Sequence, residues 1–158
     1  FNYQLFLPIF VDGIREVTDP YRFIAIRGTF DILDNVKDNV VKVIPQLIIP
    51  LKTALNTRDV DIIAVTLKVI QKLVQSSDLA GEALVPYYRQ LLPIFNLYRN
   101  FNQNLGDCFE YSQRKKKTLG DLIQETLEVM ELNGGDDAFI NIKYMIPTYE
   151  SCVYDIRG

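Results

Sequence analysis

The sequence predicts an all-α protein, an α-solenoid of HEAT/armadillo-like helical repeats, and two observations support this. Pro8, Pro45 and Pro86 each stand near the start of an apolar segment with helical periodicity, 37 and 41 residues apart. Each segment is followed, after a short polar turn, by a second helical pattern. A helix pair that recurs about every 40 residues is typical of HEAT and armadillo repeats, whose units stack because none can bury its apolar face alone. The first hypothesis is therefore a protein that binds or scaffolds other proteins.

Apolar periodicity, prolines and glycines set the expected helix boundaries. Pro20 and Pro45 stand where the first turn of a helix tolerates a proline. Gly28 lies inside a helical pattern, which suggests close packing against a neighbour. The segment 59–76 is apolar around most of its circumference, so we expect it to be buried on more than one side. Glycines 134–135 end the seventh pattern. We expect helices at about 8–17, 20–36, 40–55, 59–76, 78–84, 86–100, 118–133 and 137–146.

These helices are expected to form a single domain over residues 1–147. An irregular loop is predicted over 102–117, because this stretch has no helical period and contains Gly106 and a basic run. Residues 148–158 are predicted to form a C-terminal tail. The chain starts without a methionine and is helical in pattern almost at once, so we expect it to be the ordered part of a longer protein.

Composition excludes several classes of protein. The 158 residues carry a net charge of −3, which argues against a general nucleic-acid binder with its basic face. No stretch is long and apolar enough to cross a bilayer, so no membrane partner is expected. The chain has no histidine, which excludes Ser-His-Asp and Cys-His catalysis and imidazole metal ligands. Cys108 and Cys152 are predicted to be free thiols in a reducing compartment, and neither metal nor cofactor is expected.

Two carboxylate pairs, Asp31 with Asp34 and Asp136 with Asp137, are the features that could suggest an enzyme. Paired carboxylates divide acid and base roles only when burial separates their pKa values. Acids three residues apart on a polar helix face, or adjacent and beside glycines, are ordinarily solvated. We therefore predict that the protein is not an enzyme.

Five segments together are specific enough to indicate a family. They are PQLIIPLKTALN (45–56), VTLKV (65–69), GEALVPYYRQLLP (81–93), GDLIQETLE (120–128) and AFINIKYMIPTYESC (138–152). In collinear order over nearly the whole chain, they resemble the parkin co-regulated protein family of cilia and flagella. The resemblance implies an α-solenoid at the inner junction of axonemal doublet microtubules, in the cytoskeleton of the cilium or flagellum. Its implied partners are α/β-tubulin, a small β-rich inner-junction protein and other axonemal proteins.

The chain departs from the family pattern at both ends. Family members usually carry an N-terminal arm before the helical domain, and this sequence lacks it. The residues 154–158 extend beyond the usual end of the family. An alternative function is a soluble cytoplasmic helical-repeat adaptor that binds cargo or chaperones through the same helices.

Three groups of residues are candidates for protein contacts. Arg114, Lys115, Lys116 and Lys117 form a dense basic run that could meet an acidic surface such as that of tubulin; the alternative is a solvated segment. Arg58 and Asp59 are expected on a ridge of turns along the rod, although Asp59 could simply cap a helix. Tyr149 and Tyr154 lie in the predicted tail and are candidate interface tyrosines.

Overall fold

The computed structural model of the chain describes residues 3–16, 18, 20–104 and 111–152. Helices dominate these residues and none of them lies in a β-strand, which confirms the all-α class. Short 3₁₀ segments follow α1 and α2 and precede α6. The α-helices are α1 (Tyr3–Asp12), α2 (Tyr21–Val36), α3 (Ile44–Leu55), α4 (Val60–Gln75), α5 (Ala80–Leu84), α6 (Tyr88–Asn104), α7 (Tyr111–Asn133) and α8 (Asp136–Met145).

The helices pack as two layers around one apolar core. In the first layer, α1 contacts α3, α3 contacts α6 and α6 contacts α8. In the second layer, α2 contacts α4 and α4 contacts α7. The layers are joined where α1 packs on α2, α3 on α4 and α6 on α7, while the short α5 bridges α4 and α7. Consecutive long helices therefore form pairs, and like members of successive pairs lie side by side.

Helix α4 shows why the core lies between the layers. Its exposed residues are Asp61, Lys68 and Gln75, which recur every seven residues and so form one narrow stripe. Leu67 and Ile70 lie on the rest of the helix circumference and are fully buried. This confirms the prediction that the helix is buried on more than one side, because α3, α2 and α7 all pack against it.

Helices α4 and α7 run in the same direction. Gln71 Nε2 donates a hydrogen bond to Thr126 Oγ1 over 2.8 Å. Beyond the end of α4, the chain approaches the end of α7 so closely that a Cβ at Gly81 of α5 would lie 1.9 Å from the carbonyl oxygen of Asn133. Gly28 allows a second close approach, since a Cβ there would meet the Phe10 ring at 3.0 Å. The close packing predicted from Gly28 is thus confirmed.

The structure corrects two expectations about helix boundaries. The loop predicted over 102–117 is wrong at both ends, because α6 continues through Asn104 and α7 begins at Tyr111. Gln, Arg and Lys have good intrinsic helix propensity, so a helix can extend where no apolar period marks it. For the same reason, the helix predicted to start at residue 118 already begins at Tyr111. Pro8 is also further into its helix than predicted, since α1 already begins at Tyr3.

Candidate protein-interaction surface

The turn between α3 and α4 is fixed by hydrogen bonds to the ends of both helices. The Asn56 N–H closes α3 by donating to the carbonyl of Lys52 at 3.0 Å. The Asp59 carboxylate accepts hydrogen bonds from the backbone N–H groups of Asp61 at 2.9 Å and Ile62 at 3.3 Å. Asp59 is therefore the N-cap of α4, which confirms the structural role considered for it.

Arg58 occupies the most strained position of this turn. Its φ is 61°, in the left-handed region that L-residues other than glycine rarely adopt, and its side chain is exposed. The guanidinium lies near Tyr98 of α6, where burial raises the pKa of the phenol and the positive charge of Arg58 opposes that rise. The turn thus presents a cation beside α6, at the end of the layers where α3 finishes and α4 starts.

The basic run lies in the first two turns of α7. Its side chains are outside what the structure describes, but the backbone of residues 114–117 is helical. Gln71 of α4 and Thr126 of α7 are hydrogen-bonded and therefore level with each other. Eleven residues earlier in each helix lie Val60 and position 115, which are therefore also level. Because α4 and α7 are parallel, the run starts at the same end of the helix layers as Arg58. The backbone of residues 114–117 and the exposed Arg58 therefore lie at one edge.

Tyr149 is not at this edge, and its predicted role at an interface is wrong. The side chain is fully buried, and its ring lies 6.1 Å from that of Phe139 between centroids. Its hydroxyl donates to Glu131 Oε1 over 2.6 Å, while Lys143 Nζ donates to its carbonyl over 2.9 Å. Residues 148–152, predicted as the start of a tail, instead pack against α7. Tyr154, the other candidate tyrosine, lies outside the described residues, as does Cys108.

Glu131 holds this segment from the buried side of α7. Its carboxylate accepts hydrogen bonds from the Tyr149 and Ser151 hydroxyls and, at 3.3 Å, from the N–H of Cys152. Sequence reasoning missed this role, although a signal existed: Glu131 follows Leu127 by four residues and so falls on the apolar stripe of α7. A carboxylate on a buried stripe requires donors from elsewhere in the fold.

The same arrangement disfavours the thiolate form of Cys152. Cys152 is a free thiol, as predicted. Burial and the negative charge of Glu131 both raise the pKa of the thiol. The thiolate, which is the nucleophilic form, is therefore disfavoured. Hydrogen bonds to this carboxylate anchor the chain after α8.

A third surface lies on α2 and was not expected from the sequence. The pattern Phe23, Ile26, Phe30 and Leu33 predicts one apolar face, but only Leu33 is buried, and Phe23 is 64% exposed. The α2 groove is an open depression of about 440 Å³. Its lining is Phe23, Ile26, Arg27, Phe30, Asp31 and Asp34.

Both acids of one candidate carboxylate pair are engaged in ion pairs at this groove. Asp31 lies 3.7 Å from the Arg27 guanidinium, and Asp34 pairs with Lys72 of α4.

Within the described ranges, no cluster of three or more acidic or cysteine side chains is arranged to hold a metal ion. Among the helices of the same residues, none combines the length and hydropathy of a membrane span.

Comparison with known proteins places this chain in a family. A sequence model described as "ParcG: Parkin co-regulated protein" matches residues 1–151. The chain is also similar to the Parkin coregulated gene protein homolog of Mus musculus, with 59% identity over 152 residues. That match covers 96% of this chain and 63% of the mouse protein. Neither description indicates an enzymatic activity. The chain belongs to the Parkin co-regulated protein family.

Proposed function

We propose that this chain is a structural component of the inner junction of axonemal doublet microtubules. It would bind tubulin and a small β-rich junction partner, among other axonemal proteins, and so help to link the B-tubule to the A-tubule. Membership of the Parkin co-regulated protein family motivates the proposal. The observation that carries it is the edge at which the exposed Arg58 and the basic start of α7 occur together. We refer to Arg58 and residues 114–117 as the basic edge.

The basic edge fits an acidic protein surface better than a nucleic acid. The chain as a whole has a net charge of −3, so the positive charge is local and opposes the sign of the molecule. Opposite charges steer association and fix its orientation over distances of about 8 Å at physiological salt. Tubulin is strongly acidic and is therefore a suitable partner. Cations in the first turns of α7 oppose the helix dipole, so helix stability does not account for them.

We further infer that the two layers form a short α-solenoid of HEAT/armadillo-like repeats. The order of contacts supports this, because α1, α3, α6 and α8 follow one another in one layer and α2, α4 and α7 in the other. In such an architecture each repeat contacts its neighbours and leaves an extended surface for partners. A stack of this kind would arrive at the junction already folded, with its turns aligned along one edge.

Extraction of isolated doublet microtubules tests the proposed location in the axoneme. A junction component should remain with the doublets when rising salt removes peripheral axonemal proteins, because it is held between two tubules. Recovery of all the protein in the soluble fraction would contradict the proposal and favour the cytoplasmic adaptor. Co-sedimentation of the purified chain with microtubules tests the tubulin contact separately. Binding that weakens with salt is expected for the basic edge, and no binding would remove tubulin as a direct partner.

A further inference from the structure

Helix α2 stands at the end of its layer and leaves one face open. Within the described residues it packs against α1, α4 and the two neighbouring 3₁₀ segments. On the other side, Phe23 and Ile24 are 64% and 52% exposed, and the α2 groove runs along the helix from Phe23 to Asp34. A cluster of exposed aromatic and branched side chains beside a groove marks a surface that another molecule covers.

The middle of this face carries one positive and one negative side chain, an arrangement that can pair with a second copy of itself. Arg27 and Asp31 are four residues apart, and their side chains are 71% and 62% exposed. Their mutual distance of 3.7 Å is long for an ion pair, so both retain capacity for a second partner. Asp34, by contrast, is engaged by Lys72. The surface therefore offers one cation and one anion, flanked by Phe23 and Phe30.

We propose that the α2 groove is a homodimer contact in which α2 packs antiparallel against α2 of a second copy about a two-fold axis. With the axis level with residue 29, Arg27 of each copy faces Asp31 of the other. Phe30 of each copy then lies one residue from the axis, so the two rings cover each other, while Phe23 lies level with Asn35 at the edge of the contact. A two-fold contact uses the same patch twice, so the patch must complement itself, and this order of charges does. An unrelated partner would have to supply the reversed pattern.

The expected dimer is weak and depends on concentration. One helix face offers less than the roughly 800 Å² per partner that stable interfaces bury. Charges at the rim of an interface mainly affect the rate of association and the choice of partner. The two Arg27–Asp31 pairs should therefore determine the orientation of the two copies. The inference rests on α2 alone and is independent of the proposed role at the doublet junction, because the basic edge is formed by other elements.

Charge reversal tests the contact by sedimentation velocity from micromolar to millimolar concentration. The native chain should shift from monomer towards dimer. Arg27→Asp or Asp31→Arg alone places like charges opposite each other at both symmetric positions, and should raise the dissociation constant at least about tenfold. The double variant Arg27→Asp/Asp31→Arg restores both pairs and should restore the dimer. In a monomer the single changes would disturb only an exposed ion pair within one helix.

Two further variants control for general effects of charge and exposure. Phe30→Asp should abolish the dimer, because Phe30 lines the groove next to the two-fold axis. Ile49→Asp introduces the same charge on α3, at a side chain that is 72% exposed in the other layer, and should leave the dimer unchanged. The proposal is overturned if the native chain stays monomeric over the whole range, if Arg27→Asp dimerises as the native chain does, or if the double variant fails to recover. Thermal melting of each variant verifies that it is folded.

Discussion

The phenol of Tyr149 donates a hydrogen bond to Oε1 of Glu131 over 2.6 Å, and both side chains are buried. This contact ties the segment after α8 to helix α7, 18 residues back along the chain. A hydrogen bond to a charged acceptor is stronger than one between neutral groups. A buried carboxylate that loses a donor is correspondingly costly, so Glu131 makes residues 149–152 part of the folded core.

Replacing Tyr149 by Phe is expected to lower the free energy of unfolding by about 1–3 kcal/mol. The change removes one hydroxyl and leaves Glu131 with one donor fewer in a buried site. Equilibrium unfolding in urea, followed by circular dichroism, measures the difference.

Tyr88→Phe is the matched control for this experiment. The Tyr88 hydroxyl is also buried, but it makes no hydrogen bond in the part of the chain that the structure describes. Removing it should leave the free energy of unfolding unchanged or raise it by about 1 kcal/mol, because the change eliminates a buried polar group that has no partner and therefore destabilises the fold. Equal destabilisation by the two changes would show that the Glu131 contact contributes nothing specific.

Stability is expected to fall as the solution becomes strongly alkaline. Burial raises the pKa of Tyr88 and of Tyr149 above the ordinary value of 10.0, and the Glu131 hydrogen bond and charge raise the pKa of Tyr149 further. Below about pH 10 both states keep these protons, and the contribution to stability is constant. Above it the unfolded chain releases protons that the folded chain retains, so the free energy of unfolding decreases.

Urea unfolding at a series of pH values from neutral to alkaline measures this decline. Cys152 should add to it from about pH 9, because burial and Glu131 raise the pKa of its thiol above 9.0. The variant Tyr88→Phe should flatten the slope above pH 10 without removing it. A free energy of unfolding that stays constant, or rises, through that range would contradict the assigned environments of the two phenols.

Leu67→Ala is expected to cost about 2–5 kcal/mol of stability, since it creates a cavity at a fully buried position of α4. Lys68→Ala changes the next residue, which is exposed, and should stay within about 0.5 kcal/mol of the native chain. Chemical denaturation of both variants gives the comparison. A loss below about 1 kcal/mol for Leu67→Ala would mean that α4 is not enclosed by its neighbours.

Most of the helical organisation could be predicted because packing leaves a periodic trace in the sequence. The segment predicted as a helix over 59–76 is observed as Val60–Gln75, with its cap at Asp59. The start of α7 could not be predicted in this way, because periodicity records burial and residues 111–117 form a helix without an apolar stripe.

The candidate site was less accessible to sequence reasoning than the fold. Arg58 and Asp59 could be assigned to a turn, but their proximity to the start of α7 depends on the register between α4 and α7. Tyr149 follows the last helix and a proline, which is the pattern of a tail; its burial depends on Glu131, a residue distant in sequence. A residue that donates a hydrogen bond to a buried charge distant in sequence is not marked by any pattern in its own neighbourhood.

Reversing charge at the basic edge should weaken microtubule binding without lowering the melting temperature. Arg58→Glu keeps an L-residue at the same strained φ, so it changes the sign of the charge and little else in the turn. We expect a loss of about 1 kcal/mol for this contact, roughly fivefold in affinity. Replacing Lys115, Lys116 and Lys117 together by Glu should weaken binding more, while acids near the start of α7 favour its helix dipole. Co-sedimentation with microtubules over a salt series measures both variants.

Lys42→Glu provides the matched control, because it makes the same charge change at an exposed residue just before α3, at the other end of that helix from Arg58. It should bind microtubules as the native chain does. If Lys42→Glu weakens binding as much as Arg58→Glu, the effect comes from net charge and not from the basic edge. If the triple lysine variant sediments with microtubules unchanged, the basic run is only a solvated stretch of α7 and tubulin must be contacted elsewhere.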